Sequence, residues 1–287
     1  MTWEIVIAVA AVLLAPLAGG VLRGLDRKIT ARLQGRMGPP IIQPFYDFAK
    51  LLGKSPAVSA RASMTWAWGY FLLTLTAFVL FFLGQDLLVV FFMLAFAGGA
   101  LAFGALSARS PYARFGAYRE LLQMLAYEPI LLLVAVAVYL RTGRFTVESV
   151  LQAGEPLLPY LPLAFVAVLV ALGIKMRKSP FDVAASEHAH QELVRGVYTE
   201  YSGPFLALIE LTHWYELVLL LAVVGLFWVQ PLWAGVLIAL GAYFFELFID
   251  NIAARFRWSW MVGLSWALGI TFVVANLIIL SVLGRAC

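Results

Sequence analysis

One stretch of this chain gathers groups able to carry protons. Lys175-Met-Arg-Lys-Ser-Pro-Phe-Asp182 leads into Ser186-Glu-His-Ala-His-Gln-Glu192-Leu-Val-Arg195 and then Thr199-Glu200-Tyr-Ser-Gly203. Glu192 and Glu200 stand two helical turns apart, and His188 and Glu192 stand one turn apart, so on a helix each pair shares a face. His190 falls on the opposite face. A His-Xaa-His metal site on one helix therefore fits poorly, and the spacing is not that of a zincin. Further on, Glu210, His213 and Glu216 recur every third residue as a stripe on one helix. Carboxyl and imidazole groups, each within reach of the next or of a bridging water, are what a proton path requires. Arg119 and Arg195 are the expected charge partners. A solvated loop is the alternative, and it accounts for the start of the stretch but not for the Glu210 stripe. A structural metal at the histidines is a third reading.

Two other places carry chemistry. Tyr127-Glu128-Pro129 lies inside an apolar run, where an ionised carboxylate costs on the order of 2.5–3.5 kcal/mol. Glu128 is read as a proton relay, or as a neutral acid hydrogen-bonded to a neighbouring helix. The segment from Asp26 to Lys54 holds Arg27, Arg32, Arg36, Asp47 and Lys50, with a turn enforced by Gly38-Pro39-Pro40. Asp47 and Lys50, at i and i+3, are expected to pair if helical. Otherwise Asp47 is an acid at the mouth of a cavity or docking surface. The whole segment also reads as a basic face for anionic headgroups. Glu246 and Asp250, near Arg255 and Arg257, read as a span boundary with local ion pairs.

The elements that must position these groups are membrane helices. The 287 residues are 63% hydrophobic and 13% charged, against about 25% charged in soluble domains. About 20 apolar residues cross a bilayer. Such runs predict eight spans, roughly Glu4–Leu22, Met64–Leu83, Leu87–Leu106, Glu120–Leu140, Pro159–Ile174, Pro204–Val229, Leu232–Ile249 and Ser259–Leu283. The runs are too long and uniformly apolar for barrel strands. The expectation is an all-α, polytopic single transmembrane domain over 1–287. A short amphipathic helix within 145–152 is expected at the interface. Of the 20 basic residues, all but Arg141, Arg144 and Arg285 fall in loops after odd-numbered spans. That places 23–63 and 175–203 in the cytoplasm and both termini outside. Met1-Thr-Trp-Glu has no basic n-region, so no cleaved signal peptide is expected. The one cysteine, Cys287, excludes disulfides and cysteine-ligated clusters within the chain. No internal repeat suggests an inverted-repeat transporter, although a stand-alone ion transporter remains an alternative.

The segments Asp26-Arg-Lys…Ala31-Arg-Leu-Gln-Gly-Arg-Met-Gly-Pro, Gln43-Pro…Asp47…Lys50-Leu-Leu-Gly-Lys54, Gln123-Met…Tyr127-Glu128, Ser179-Pro-Phe-Asp182, Glu192-Leu-Val-Arg-Gly196 and Glu200-Tyr-Ser-Gly203 resemble, in order, the heel subunit of complex I. Quinone-type members carry an acid-rich Glu-Gly-Glu-Ser-Glu-Leu-Val run. The longer, histidine-bearing run here is similar instead to the membrane anchor of energy-converting [NiFe] hydrogenases of the Ech, CO-induced and formate hydrogenlyase type. The resemblance implies a chain without cofactor, the [NiFe] centre and iron–sulfur clusters lying in partner subunits. Those partners would be hydrogenase large and small subunits, a ferredoxin-like iron–sulfur subunit and antiporter-like membrane subunits in the plasma (inner) membrane, with no nucleic acid. It also implies that Asp47, Glu128, Glu192 and Glu200 match acids between docking surface and membrane. Asp182, His188, His190 and Arg195 join Arg27, Arg32, Arg36, Asp47 and Lys50 as docking or cavity candidates. A quinone-reducing heel subunit is the alternative.

Overall fold

The computed structural model describes residues 2–56, 61–185 and 193–283. The chain is helical in the expected places: α1 (Thr2–Leu33), α2 (Gln43–Leu52), α3 (Arg61–Phe82), α4 (Leu87–Leu106), α5 (Pro111–Thr142), α6 (Val147–Ala153), α7 (Pro162–Lys175), α8 (Gly203–Gly225), α9 (Leu232–Ile252), α10 (Trp258–Leu264) and α11 (Thr271–Leu283). A π-turn, Ser265–Ile270, joins α10 and α11 into one span. Among the described residues, seven helices are long and apolar enough to cross a bilayer. The remaining expected span, Pro159–Ile174, is α7, with 14 residues. At 1.5 Å per residue it reaches about 21 Å, short of the ~30 Å apolar core. Its last residue, Lys175, is therefore buried rather than at the surface. The amphipathic helix read in 145–152 is α6.

The spans pack around α8, whose apolar window is 67% buried within the chain against 22% for α1. The outer faces of α1, α9 and α11 keep large apolar side chains exposed, as a lipid-facing surface requires.

Three local devices repair the backbone where a dry environment makes unpaired groups costly. Pro16 and Pro129 lie inside α1 and α5 and leave the carbonyls of Val12 and Leu125 without their usual donors. Tyr215 donates its hydroxyl to Val12 O at 2.9 Å, and the Trp266 indole donates to Leu125 O at 3.1 Å. Nothing on α7 itself caps its N-terminus. Asn276 of α11 does so from outside, accepting from Leu163 N (3.0 Å) and Ala164 N (3.1 Å).

The loops after α1, α4, α7 and α9 meet at one end, where ion pairs tie the segment after α7 to α5, α1 and α9. The turn after α3 pairs with Thr146 at the other end, where Arg141 also pairs with Glu155. Parts of the expected first loop are helical. α1 runs on to Leu33, and α2 lies across α1 where Gly20 and Gly24 clear its path. A Cβ at Gly20 would fall 2.4 Å from the Phe45 ring, and one at Gly24 1.8 Å from Ile41 O.

Candidate functional site

The basic end is organised by three cations at and just past the end of α7. Together they reach α1, α5, α8 and α9. Lys175 Nζ pairs with Glu216 of α8 at 2.7 Å and donates to the Tyr127 hydroxyl of α5 at 3.0 Å. Tyr70 of α3 donates to the second oxygen of Glu216 at 2.9 Å. Arg177, at φ +52°, grips Glu120 of α5 through two nitrogens, Nε at 3.1 Å. Lys178 bridges Asp26 of α1 (2.7 Å) and Asp250 of α9 (3.1 Å), while Ser179 N donates to Asp250 at 2.8 Å. Lys175, Glu120, Asp26, Asp182 and Glu216 are all 2–4% exposed. Their desolvation is tolerable only because each ion meets its counter-ion.

Between these cations and α8 lies a cavity of about 100 Å³, lined on the α8 side by Glu210, His213 and Glu216 and on the other by Asp26, Tyr243 and Asp250. Tyr198 closes it, its hydroxyl 3.1 Å from His213 Nε2. Burial pushes the Tyr198 phenol well above its ordinary range, more than Arg177 draws it down. It therefore keeps its proton at neutral pH. Burial alone would lower the Arg177 guanidinium, but the Glu120 carboxylate outweighs it and holds the charge firmly. A second cavity of about 260 Å³ adjoins the first along Arg23, Arg195, Leu206 and Glu210 and opens between α1, α2 and α8. Asp47, Lys50, Phe48 and Trp214 line it. Phe45 and Phe48 seat α2 against the Trp214 ring at 5.3 and 5.5 Å.

The stripe Glu210–His213–Glu216 faces one cavity, as its spacing requires. Glu128 lies beside Tyr127 with its Oε1 buried and unbonded among the described residues. Asp47 pairs with Arg27 rather than with the expected Lys50: Arg27 donates to it at 2.7 Å and Gln43 at 3.1 Å. Burial lifts its carboxyl, but these bonds and the charges of Arg27 and Lys50 together hold it below the usual value. Asp182 pairs with Arg255 at 3.4 Å. Arg195, at φ +60°, lines both cavities. Arg32 and Arg36 are exposed at the far end of α1, next to Met37 and Gln34, and line neither cavity. Glu200 is half-buried in the turn after Tyr198 and also lines neither. His188, His190 and Glu192 fall outside the described residues.

The buried acids Glu216 and Glu120 pair with Lys175 and Arg177, and Arg119 donates to the Val183 carbonyl. Two further sequence expectations are corrected. Asp250 answers Lys178 rather than the neighbouring Arg255, because the α7 end folds over α9. Glu246 is not at a solvated boundary but 3% exposed. Sequence reasoning also passed over Tyr70, Glu120 and Lys175 itself. The available signal was a lysine directly after an apolar run too short to span.

A family model described as NADH dehydrogenase matches residues 4–281. The chain belongs to the NADH dehydrogenase family. Among its relatives, hydrogenase-4 component C of Escherichia coli is 34% identical over 220 residues, covering 70% of this chain and 66% of its own length. The H 2 subunit of the NADH-quinone oxidoreductase of Cereibacter sphaeroides is 30% identical over 305 residues, 94% of each chain. The H subunit of the same enzyme in Syntrophotalea carbinolica is 27% identical over 295 residues, 88% of each. The fold recurs in the membrane-bound sulfane sulfur reductase, an archaeal respiratory membrane complex, with a TM-score of 0.84 over 96% of this chain and 99% of that one, at 23% identity. This family member is thus a polytopic, complex I-like membrane subunit of the respiratory type.

Proposed function

We propose that this chain is the non-catalytic anchor and coupling subunit of a membrane-bound [NiFe] hydrogenase. The basic loops face the cytoplasm and dock the hydrogenase and iron–sulfur subunits, and antiporter-like subunits lie beside the chain in the membrane. Both termini face outward. The metal centres belong to the partners. This chain's own task is to link electron transfer in the docked arm to H⁺ or Na⁺ movement. The observation that carries this reading is the Lys175–Glu216 pair, buried at the inner end of a cavity that opens toward the docking loops. Glu216 lies 13 residues into α8, about 20 Å along the helix. A charge pair this deep responds strongly to any charge arriving at the cavity mouth. His188 and His190, and the likeness to hydrogenase-4 component C, support the hydrogenase branch.

Purification through a tag on this chain, followed by peptide identification and assay of hydrogen evolution, tests the reading. A co-purifying hydrogenase large subunit and hydrogen evolution support it, and isolation of an active transporter as a single chain refutes it. In sealed vesicles, Glu128→Gln and Glu192→Gln should each lower the ions moved per electron, and full coupling in both would remove them from the path. The alternative, a quinone-reducing heel subunit, draws on the aromatic-walled cavity beside Asp47 and on the relatives from NADH-quinone oxidoreductases. Photolabelling of α2 by a quinone-site inhibitor would favour it.

A further inference from the structure

Gly173 and Lys175 stand on opposite sides of the last turn of α7, and a buried acid faces each. On one side Glu216 has Lys175. On the other, Glu246 of α9 lies against Gly173 so closely that a Cβ there would fall 2.6 Å from its Oε2. Glu246 is 3% exposed and makes no side-chain hydrogen bond or ion pair among the described residues. The groups facing it are few. Tyr243 and Asp250 flank it on α9, one turn away in each direction. Lys178 comes from the α7 end, and Asp26 and Arg23 of α1 act on the neighbouring Tyr243. Tyr243 spends its hydroxyl on Leu22 O at 2.8 Å. Lys178 is already held by Asp26 and Asp250. Asp26, Lys178, Tyr243 and Asp250 line the same cavity as Glu216, so Glu246 sits one turn deeper than a carboxylate in contact with that cavity.

We infer that Glu246 is a second proton-exchanging carboxyl, on a branch separate from Glu216 and gated by Lys178. Among the described residues Lys178 pairs with Asp250 and not with Glu246, so the exchange starts with the proton on Glu246 and the charge on Asp250. When Lys178 Nζ swings from Asp250 to Glu246, the Glu246 O–H bond breaks and the proton passes, directly or through water, to the uncovered Asp250. One carboxylic acid and one carboxylate stand on each side of the exchange, so charge and protons balance. Asp250 then delivers the proton to the cavity. The space left by Gly173 lets the Glu246 carboxyl turn toward Lys178.

The inference rests on the coupling role proposed above, and the test separates the two. The intact complex is reconstituted in sealed vesicles as wild type, Glu246→Gln, Lys178→Met and Glu216→Gln. Ions moved per electron are measured, together with the carboxylic C=O band in the redox-induced infrared difference spectrum. Glu246→Gln should lower the ratio severalfold and remove one carboxylic band that Glu216→Gln retains. Lys178→Met should silence the same band while leaving the acid in place, which also serves if Glu246→Gln assembles poorly. A wild-type complex that moves no ions defeats the coupling role, and the infrared band then still decides whether Glu246 exchanges a proton. A coupled wild type with both ratio and band unchanged in Glu246→Gln and Lys178→Met overturns this inference alone.

Discussion

Lys175 shows how a residue's meaning depends on what folds over it. From sequence it is the first cation of a basic loop, one more marker of membrane orientation. In the fold it is buried, because α7 stops before the surface and α8 brings Glu216 to it. No hydropathy window reports a partner on another helix, so the Glu210–His213–Glu216 stripe was legible and its counter-ion was not. Lys175→Met leaves Glu216 buried without a cation and should destabilise the chain by about 3–5 kcal/mol. Adding Glu216→Met should recover most of that loss. Thermal unfolding of the solubilised complex measures both. Asp47 makes a pH prediction. Its carboxyl in the fold titrates below its ordinary value of 3.8. The stability it lends to the α1–α2 contact is therefore fully present above about pH 4 and is lost as pH falls through the lower, folded value. Protection of α2 against hydrogen exchange should stay constant from neutral pH down to about 4 and fall below that, and Arg27→Gln should flatten this acid step. Protection that falls already near neutrality would contradict the pairing.

At the scale of the helices, span existence followed from apolar length, but the helix ends did not. α1 and α5 run past the bilayer-length windows because Leu33 and Pro111 end helices that continue into the polar end. Pro16 and Pro129 lie inside α1 and α5 without breaking them. Each lost backbone bond was replaced by a ring donor on a distant helix, which pattern reading along one helix cannot see. Trp266→Phe should cost about 1–3 kcal/mol by leaving Leu125 O unpaired. In a Pro129→Ala background, where residue 129 regains its N–H, the same change should cost much less. Equal costs in both backgrounds, read by the same unfolding assay, would show that the indole bond does not serve the proline.

For the whole molecule, the sequence arithmetic of basic loops holds in one respect: the loops after α1, α4, α7 and α9 do share one end. Charge there is not merely a topological mark. Lys175, Arg177 and Lys178 clamp α1, α5, α8 and α9 around a single polar cavity. The histidine-bearing run that first pointed to this end lies outside the described residues, so its part was legible in sequence alone. The most direct test is the number of ions moved per electron by the whole complex in sealed vesicles carrying Glu216→Gln. The account predicts that this ratio collapses while electron transfer without an opposing gradient continues. A ratio equal to that of the wild type would contradict it.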